Sequence, residues 1–474
     1  MSFVTYDIIF LVLFLAAVSI FLYKRKKNLK REGLLYLYKT KWGINLINFI
    51  GKKYKRTLKV LSYLSIISGY LLMISMFYLA YTLVRIYVFN PEVVKAIKIP
   101  PILPLVPYLP QIFKLEFLPP FYFTYWIIII AVIAITHEMA HGIFASYNKI
   151  KIKTTGFGFF PYFLPIFLAA FVEPDEKIMQ KKTKFSQMTV LSAGTFANVL
   201  TAILFFVILM LFSSLAFTPS GVIFDKYAVA TITVSGISAI NNITLNNQSY
   251  QHILNLANET GFNELRFEGK SYLATRDILE KQEENESIFV YYSAPAIKEN
   301  LSGIITEVNN VKINSIEKLV GELSKYSPGD EITIKTLTKD NFTEKKIMLE
   351  ENPERKGVAW LGIAFISQKR SGFLAKIIDN ISFRKQNVYY KPKFDGLSIF
   401  IYNLIWWIVI ISISVALINM LPVGIFDGGK FFYLTVLAVT KSEKIAKKSF
   451  TCLTRFFLFL LFLLIILWAV SFLR

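Results

Sequence analysis

Two of the three histidines in the chain lie four residues apart, and a glutamate follows the first of them. In the stretch His137-Glu138-Met139-Ala140-His141 the two imidazoles fall on one face of a helix, close enough to bind one metal ion. Glu138 can then act as a general base toward a water at that metal. Zinc is the expected ion, because it needs no redox chemistry and lowers the pKa of a bound water toward about 7. The alternative is a polar helix end packed against loops, although ionisable residues in an apolar helix are usually functional.

Catalytic zinc usually takes three protein ligands, and the candidate for the third is Asp427. Pro422 and Gly424 precede it and Gly428 and Gly429 follow it, a composition that interrupts a helix. Unwound backbone is tolerated at membrane depth only where protein or water covers it, so we expect this carboxylate to point into the protein interior. The alternative is a loop aspartate that caps a helix.

Another polar residue within an apolar run is Asn198, which shares a helical face with Gly194. Small residues allow a membrane helix to pack closely on a neighbour. Close packing with one interhelical hydrogen bond is therefore one interpretation of this pair. A contact between Asn198 and an oxyanion or a substrate is the other.

The stretch 154–161 contains Gly156, Gly158 and Pro161 among aromatic residues, and an apolar run to Val172 follows it. It is short and rich in turn residues, so it favours a re-entrant hairpin over another membrane span. The open strand edge of such a hairpin could accept an extended substrate. A plain interfacial loop is equally compatible with the sequence.

The elements that must position these residues are membrane helices. The chain is 54% hydrophobic and only 18% charged, with a mean hydropathy of +0.49, whereas soluble proteins carry about a quarter charged residues. A helix crosses the hydrocarbon core with about 20 residues, and apolar runs of that length occur at 4–23, 60–84, 121–147, 187–216, 397–421 and 453–473. We therefore expect a multi-pass α-helical membrane protein with about six transmembrane helices, a re-entrant hairpin and an inserted soluble α+β domain.

The net charge of +21 does not indicate nucleic-acid binding, because the charge is unevenly placed. Residues 221–360 carry 15 Lys+Arg against 20 Asp+Glu, so the excess of basic residues lies in the rest of the chain. Short basic loops mark the cytoplasmic side of a membrane protein, and here they fall at 24–59, 149–153, 177–184 and 441–448. The single cysteine, Cys452, excludes an internal disulfide and a cysteine-based zinc site.

These loops predict a signal anchor with its N-terminus outside and an extracytoplasmic segment at 217–395. Basic residues at 369–393 oppose this topology, but long domains are translocated largely regardless of charge. High Lys, Ile and Phe usage is typical of an AT-rich prokaryotic genome, which favours the cell membrane as the location. In the exported segment, strands are expected at Val229–Val234, Gly303–Val308 and Glu331–Leu337, a helix at Ser315–Leu323 and a polar insertion at about 235–290.

The expected organisation has five parts along the chain. They are a signal anchor and second transmembrane helix with a basic loop (1–89), the first part of the membrane core (120–216), the exported domain (217–370), the second part of the core (396–440) and a C-terminal transmembrane helix (450–474).

Four motifs resemble those of the site-2 protease family of intramembrane zinc metalloproteases. They are HEMAH at 137–141, the AGxxxN stretch that ends at Asn198, GxG at 156–158 and NxLPxxxxDGG at 419–429. The first and last together are specific. The resemblance implies one zinc ion per chain, with His137, His141 and Asp427 as its ligands. It implies that Glu138 is the catalytic acid/base. It also implies a set of residues that bind the substrate or support the transition state, which are Asn198, Asn419, Gly156 and Gly158. The sequence departs from the usual pattern at two positions. Many members have a second proline at the position of Gly424, and some bacterial members have histidine at the position of Lys430.

The resemblance also implies a function, which is hydrolysis of peptide bonds within or near transmembrane segments of membrane-protein substrates, in regulated intramembrane proteolysis. The exported segment is similar to a circularly permuted PDZ domain, which in this family is thought to admit substrates already trimmed by another protease. Two other classes of membrane protein are alternatives. A membrane zinc transporter would need further acidic or histidine sites, but the third histidine, His252, lies in the exported segment. A non-catalytic scaffold that carries a PDZ-like domain would have no use for Glu138.

Overall fold

The computed structural model describes residues 3–97, 100–101, 103–115, 117–160, 167–224, 226–246, 248–282, 286–338, 341–365 and 383–471. The tip of the expected hairpin, which includes Pro161, lies outside the described residues, as does much of the basic stretch at 369–393. The described chain divides into a unit formed by residues 1–213 and 399–474 and a unit formed by residues 214–398.

Six described helices are long and apolar enough to cross a membrane, which confirms the predicted multi-pass architecture. They are α1 (Phe3–Lys24), α3 (Lys55–Phe89), α6 (Phe123–Tyr147), α8 (Lys184–Ala216), α13 (Asp395–Asn419) and α15 (Glu443–Ser471). Helices α3 and α15 begin five and ten residues before the predicted apolar runs, because a helix continues through a charged turn that hydropathy alone does not count. The shorter helices of this unit are α2 (Ile44–Lys53), α4 (Pro91–Ile97), α5 (Leu109–Ile112), α7 (Glu176–Gln180) and α14 (Asp427–Thr440).

The fifth long helix is interrupted where the sequence predicts it. Helix α13 ends at Asn419, two residues before the predicted end of the apolar run, and α14 begins at Asp427. A Cβ atom on Gly428 would meet the backbone of Met420, and one on Gly429 would lie 2.7 Å from the carbonyl carbon of Val423. The returning chain therefore fits against the first turn of α14 only because these positions are glycine.

A four-stranded antiparallel sheet packs against α6, the helix that carries His137 and His141, with the strand order β1-β2-β3-β4. Its strands are β1 (Leu29–Glu32), β2 (Leu35–Thr40), β3 (Ile152–Phe160) and β4 (Phe167–Pro174). The hairpin expected between the third and fourth spans is β3–β4, whereas β1 and β2 were not predicted. Strand β4 has a strand neighbour on one side only within the described chain, so its other edge is open.

The unit formed by residues 214–398 is rich in β-structure and has two hydrophobic cores. The first sheet has the order β16-β15-β13-β5-β20, with β14 beside β13, and the second has the order β7-β12-β11-β10-β8-β9. The strands of the first sheet are β5 (Phe217–Ile223), β13 (Ile304–Val308), β14 (Val311–Lys312), β15 (Glu331–Thr338), β16 (Asn341–Met348) and β20 (Val388–Pro392). The predicted strands at 303–308 and 331–337 and the helix at 315–323 correspond to β13, β15 and α12 (Ile316–Leu323).

The second sheet contains the polar segment 235–290, which folds around a core of its own. Its strands are β7 (Val229–Thr233), β8 (Ile237–Ile240), β9 (Ile243–Thr244), β10 (Phe262–Phe267), β11 (Lys270–Thr275) and β12 (Ser287–Tyr292). Ile237, Ile240, Leu265 and Ile288 are fully buried in this core. The other α-helices and strands among the described residues of the unit are α9 (Tyr250–Leu256), α10 (Arg276–Glu280), α11 (Pro295–Lys298), β6 (Lys226–Tyr227), β17 (Glu350–Asn352), β18 (Arg355–Trp360) and β19 (Ile363–Ala364).

Candidate active site

Helix α6 carries His137, Glu138 and His141, and its N-terminus is held by a buried acid from α1. The carboxylate of Asp7 accepts hydrogen bonds from the backbone N–H groups of Phe123 and Thr124 at 2.7 and 2.9 Å. These are among the first N–H groups of a helix, which have no partner within it. Because α6 has no side-chain cap of its own, Asp7 acts as the cap from another helix and fixes one end of α6.

The structure brings His137, His141 and Asp427 together although α6 and α14 are far apart in sequence. The two Nε2 atoms are 3.1 Å apart, and Asp427 Oδ2 lies 3.5 Å from His137 Nε2 and 3.2 Å from His141 Nε2. Ligand atoms about 2.0–2.2 Å from a tetrahedral ion are separated by roughly 3.3–3.6 Å. The three donor atoms therefore fit one zinc ion, and two nitrogens with one carboxylate oxygen are a donor set that zinc uses in catalytic sites.

Each imidazole is oriented by a contact on its other nitrogen. His141 Nδ1 lies 2.7 Å from the carbonyl oxygen of Val190. Because a carbonyl can only accept, Nδ1 carries the proton and the Nε2 lone pair points to the ligand triangle. His137 Nδ1 lies 3.0 Å from the side-chain nitrogen of Asn198, which is fully buried.

Gly194 of α8 provides the space beside the ligand triangle. A Cβ atom at this position would lie 2.6 Å from His137 Nε2 and in contact with His141 Nε2 as well. The sequence of the AGxxxN stretch indicates only that this glycine allows close packing of helices. Its closest surroundings in the structure are the two imidazoles.

Glu138 is tied to the open edge of the hairpin sheet. Its Oε2 accepts a hydrogen bond of 2.9 Å from the backbone N–H of Val172 in β4. Glu138 lines a cavity of about 550 Å³ together with the three candidate ligands, Asn419 and Ala170. The candidate general base, the three candidate metal ligands and an open strand edge thus face one space.

Gly156 and Gly158, also predicted to support the substrate, lie on β3 and differ in their surroundings. A Cβ atom on Gly156 would meet the carbonyl oxygen of Tyr38 and lie 2.8 Å from the ring of Phe171, whereas one on Gly158 would make only ordinary contacts. Gly156 therefore permits the close pairing of β2 with β3, and it also lines a second, apolar cavity of about 330 Å³ that Glu138 adjoins. Sequence reasoning missed the contributions of Val172 and Val190, because both act through the backbone.

An ion pair fixes the end of β4 that follows Val172. Glu173 accepts hydrogen bonds from Lys39 Nζ at 2.8 Å and from the hydroxyl of Thr154 at 2.7 Å. The hydrogen bond from Lys39 is the main cause that lowers the pKa of the Glu173 carboxyl below its usual range, and the same bond raises the pKa of Lys39. This pair links β2 to β4 across β3, so it holds the sheet next to the candidate site.

Comparison with known proteins identifies the class to which this fold and site belong. The model for peptidase family M50 matches residues 125–464, which are 340 of the 474 residues, and the chain belongs to that family, the site-2 protease family. It is therefore an intramembrane zinc metalloprotease, which hydrolyses peptide bonds within or near the transmembrane segments of membrane-protein substrates. No curated protein matches the chain at a significant level.

Proposed function

We propose that His137, His141 and Asp427 are the zinc ligands of this protease and that Glu138 is its catalytic acid/base. The observation that carries the assignment is the triangle of donor atoms with sides of 3.1, 3.2 and 3.5 Å. Bound zinc supplies Lewis-acid activation of the attacking water and of the scissile carbonyl. The protein residues hold this centre in place and move the proton.

Glu138 is proposed to take the proton of the attacking water and to deliver it to the leaving amine. A carboxylate suits both steps, because general acid–base catalysis needs one group that is deprotonated first and protonated later. The N–H of Val172 holds one carboxylate oxygen, which leaves the other oxygen available for the proton. Asn419 lines the same cavity and is proposed to bind the substrate, as are Gly156 and Gly158 through the hairpin sheet.

We propose that the substrate binds as an added strand at the open edge of β4. Backbone N–H groups alternate in direction along a strand, so the N–H of Ala170 points the same way as that of Val172, toward the cavity. Because the N–H of Val172 is bonded to Glu138, Ala170 is left to pair with an extended substrate next to the catalytic base. A helical substrate must unwind before it can bind in this way, since its carbonyls are bonded within the helix.

We also propose on which side of the membrane residues 217–395 lie and how they select substrates. The basic loops support an extracytoplasmic position for residues 217–395 in a cell membrane. The similarity of residues 293–330 to a PDZ domain supports peptide binding by this β-rich segment, by strand addition. Such a domain would admit substrates whose outer part another protease has already shortened.

The test uses detergent-purified full-length protein and single-span model substrates with either a short or a long outer segment. Glu138→Gln should bind zinc like the wild type and lose cleavage by at least about 100-fold. The matched control is Glu92→Gln, which makes the same chemical change at an exposed glutamate that pairs with Lys95 at 3.8 Å and does not line this cavity, and it should cleave like the wild type. A Glu138→Gln protein that still cleaves would remove this residue from the mechanism. Equal cleavage of long and short substrates would contradict the gating role.

A further inference from the structure

Asn198 is a buried amide in which only one of the two polar side-chain atoms has a partner among the described residues. It lies on α8 and has no exposed surface. Its Nδ2 is 3.0 Å from His137 Nδ1, and its Oδ1 has no partner among the described residues. A buried polar atom without a partner costs free energy, so the residue requires an explanation other than stability.

The chemistry of His137 decides which end of the amide is useful. A neutral imidazole that offers the Nε2 lone pair to a metal carries its proton on Nδ1 and needs an acceptor there. If Nδ2 donates to Nδ1 instead, the proton lies on Nε2 and the ring cannot bind the ion. Rotation of the amide by half a turn places Oδ1 opposite Nδ1 within the same 3.0 Å contact.

We propose that Asn198 is a positioning residue, which accepts the Nδ1–H of His137 through Oδ1 and so directs Nε2 to the metal. The inference rests on the proposed zinc site and deepens it. His141 supplies the parallel case, because its Nδ1 lies 2.7 Å from the carbonyl oxygen of Val190. Both histidine ligands of the centre would then have an oxygen acceptor behind them, as metal-binding histidines generally do.

The location of Asn198 favours this role over a contact with substrate. It meets His137 on the Nδ1 side of the ring, whereas Nε2 faces His141 and Asp427. Asn419, in contrast, lines the cavity with Glu138. Asn198 therefore lies behind a ligand and not beside the substrate space.

The experiment measures metal binding by the full-length protein, with a competing chelator for Zn²⁺ and the visible absorption of Co²⁺ as a second readout. Asn198→Leu keeps the approximate volume and removes the acceptor, and we expect zinc affinity to fall about 10–100-fold with an altered Co²⁺ spectrum. Asn198→Asp keeps an acceptor and loses the donor, and it should bind Zn²⁺ close to wild type. The control is Thr195→Val on the same helix, which removes a buried hydroxyl that donates to the carbonyl of Ser192 within that helix.

Each outcome separates this inference from the proposed function. Wild-type zinc affinity in a folded Asn198→Leu protein would overturn the positioning role, and a loss of cleavage alone in that variant would instead favour substrate contact. A variant with aspartate that binds zinc as weakly as the leucine variant would also overturn it. If the wild type bound no zinc, the proposed zinc site itself would fail. Thermal unfolding of each variant beside Thr195→Val shows whether Asn198→Leu is folded. The zinc affinities of Asn198→Leu and Thr195→Val then test the positioning role even if Asn198→Asp does not fold.

Discussion

Replacing Gly194 by alanine adds a single methyl group at the point where the two imidazoles meet. The added Cβ would lie 2.6 Å from His137 Nε2, whereas ordinary contacts begin at 3.4 Å, so the ring must retreat by about 0.8 Å. The ring cannot do so freely, because His137 Nδ1 contacts Asn198 and His141 Nδ1 contacts Val190. Metal–ligand distances vary by only about 0.2 Å in a competent site, so the displacement exceeds what the centre can absorb.

We expect Gly194→Ala to weaken zinc binding by at least about 100-fold, equivalent to about 2.8 kcal/mol. The assay is competition with a chelator of known affinity on detergent-purified protein. Gly69→Ala is the matched control, because a Cβ atom there would also be tight, at 3.2 Å from Phe431 and Ser192, while neither imidazole is among its three nearest contacts. Zinc affinity of Gly194→Ala equal to that of the wild type would refute the reasoning and place the metal elsewhere.

Three further predictions concern the elements around the centre. Asp7→Ala should lower the stability of the detergent-purified protein by about 2–4 kcal/mol, since it leaves buried helix N–H groups unpaired, and an unchanged melting temperature would contradict the role of Asp7 as a cap. The pKa of Glu173 is depressed, so its pairing with Lys39 stabilises the protein at pH values above the usual pKa range of glutamate and is lost on acidification. The free energy of unfolding of the wild type should therefore exceed that of Glu173→Gln by up to about 1 kcal/mol near neutral pH, and the two should converge in acid. A difference in melting temperature that does not change with pH would argue against the pair. Gly156→Ala should reduce cleavage and stability because its Cβ meets the carbonyl of β2, while Gly158→Ala should behave like wild type, and equal effects of the two would count against the close strand pairing.

The sequence is most informative where chemistry and local geometry coincide. His137 and His141 could be predicted as metal ligands because a helix places residues i and i+4 on one face. Asp427 could be predicted as the third ligand because proline and glycine interrupt the apolar run around it. The six membrane spans could also be predicted, because the hydropathy that defines a span is a property of consecutive residues.

Features that depend on the backbone or on distant contacts were not predictable. The Val172 N–H that holds Glu138 and the Val190 carbonyl that orients His141 have no side-chain signature. Strands β1 and β2 lie in a loop whose basic residues indicate only its side of the membrane. Strand β2 forms because β3 offers it an edge, and β1 in turn pairs with β2. Likewise, the core of segment 235–290 was not predictable, because its isoleucines are scattered among polar residues and come together only in the folded structure.

The N-terminal part of the chain illustrates how tertiary contacts add to a family motif. The family match begins at residue 125, yet Asp7 caps the helix that carries the histidines. Helix α2 also packs on that helix, since a Cβ atom on Gly142 would lie 3.0 Å from Ile47. The helix that carries His137 and His141 is therefore positioned in part by residues outside the matched region.

The most direct test of the account is the zinc content of the purified wild type beside Asp427→Ala and His141→Ala. The account predicts about one zinc ion per wild-type chain and its loss, or a sharply weakened affinity, in both variants, because donors from α6 and α14 form a single centre. Full retention of zinc by Asp427→Ala would contradict the account, since the third ligand would then lie elsewhere.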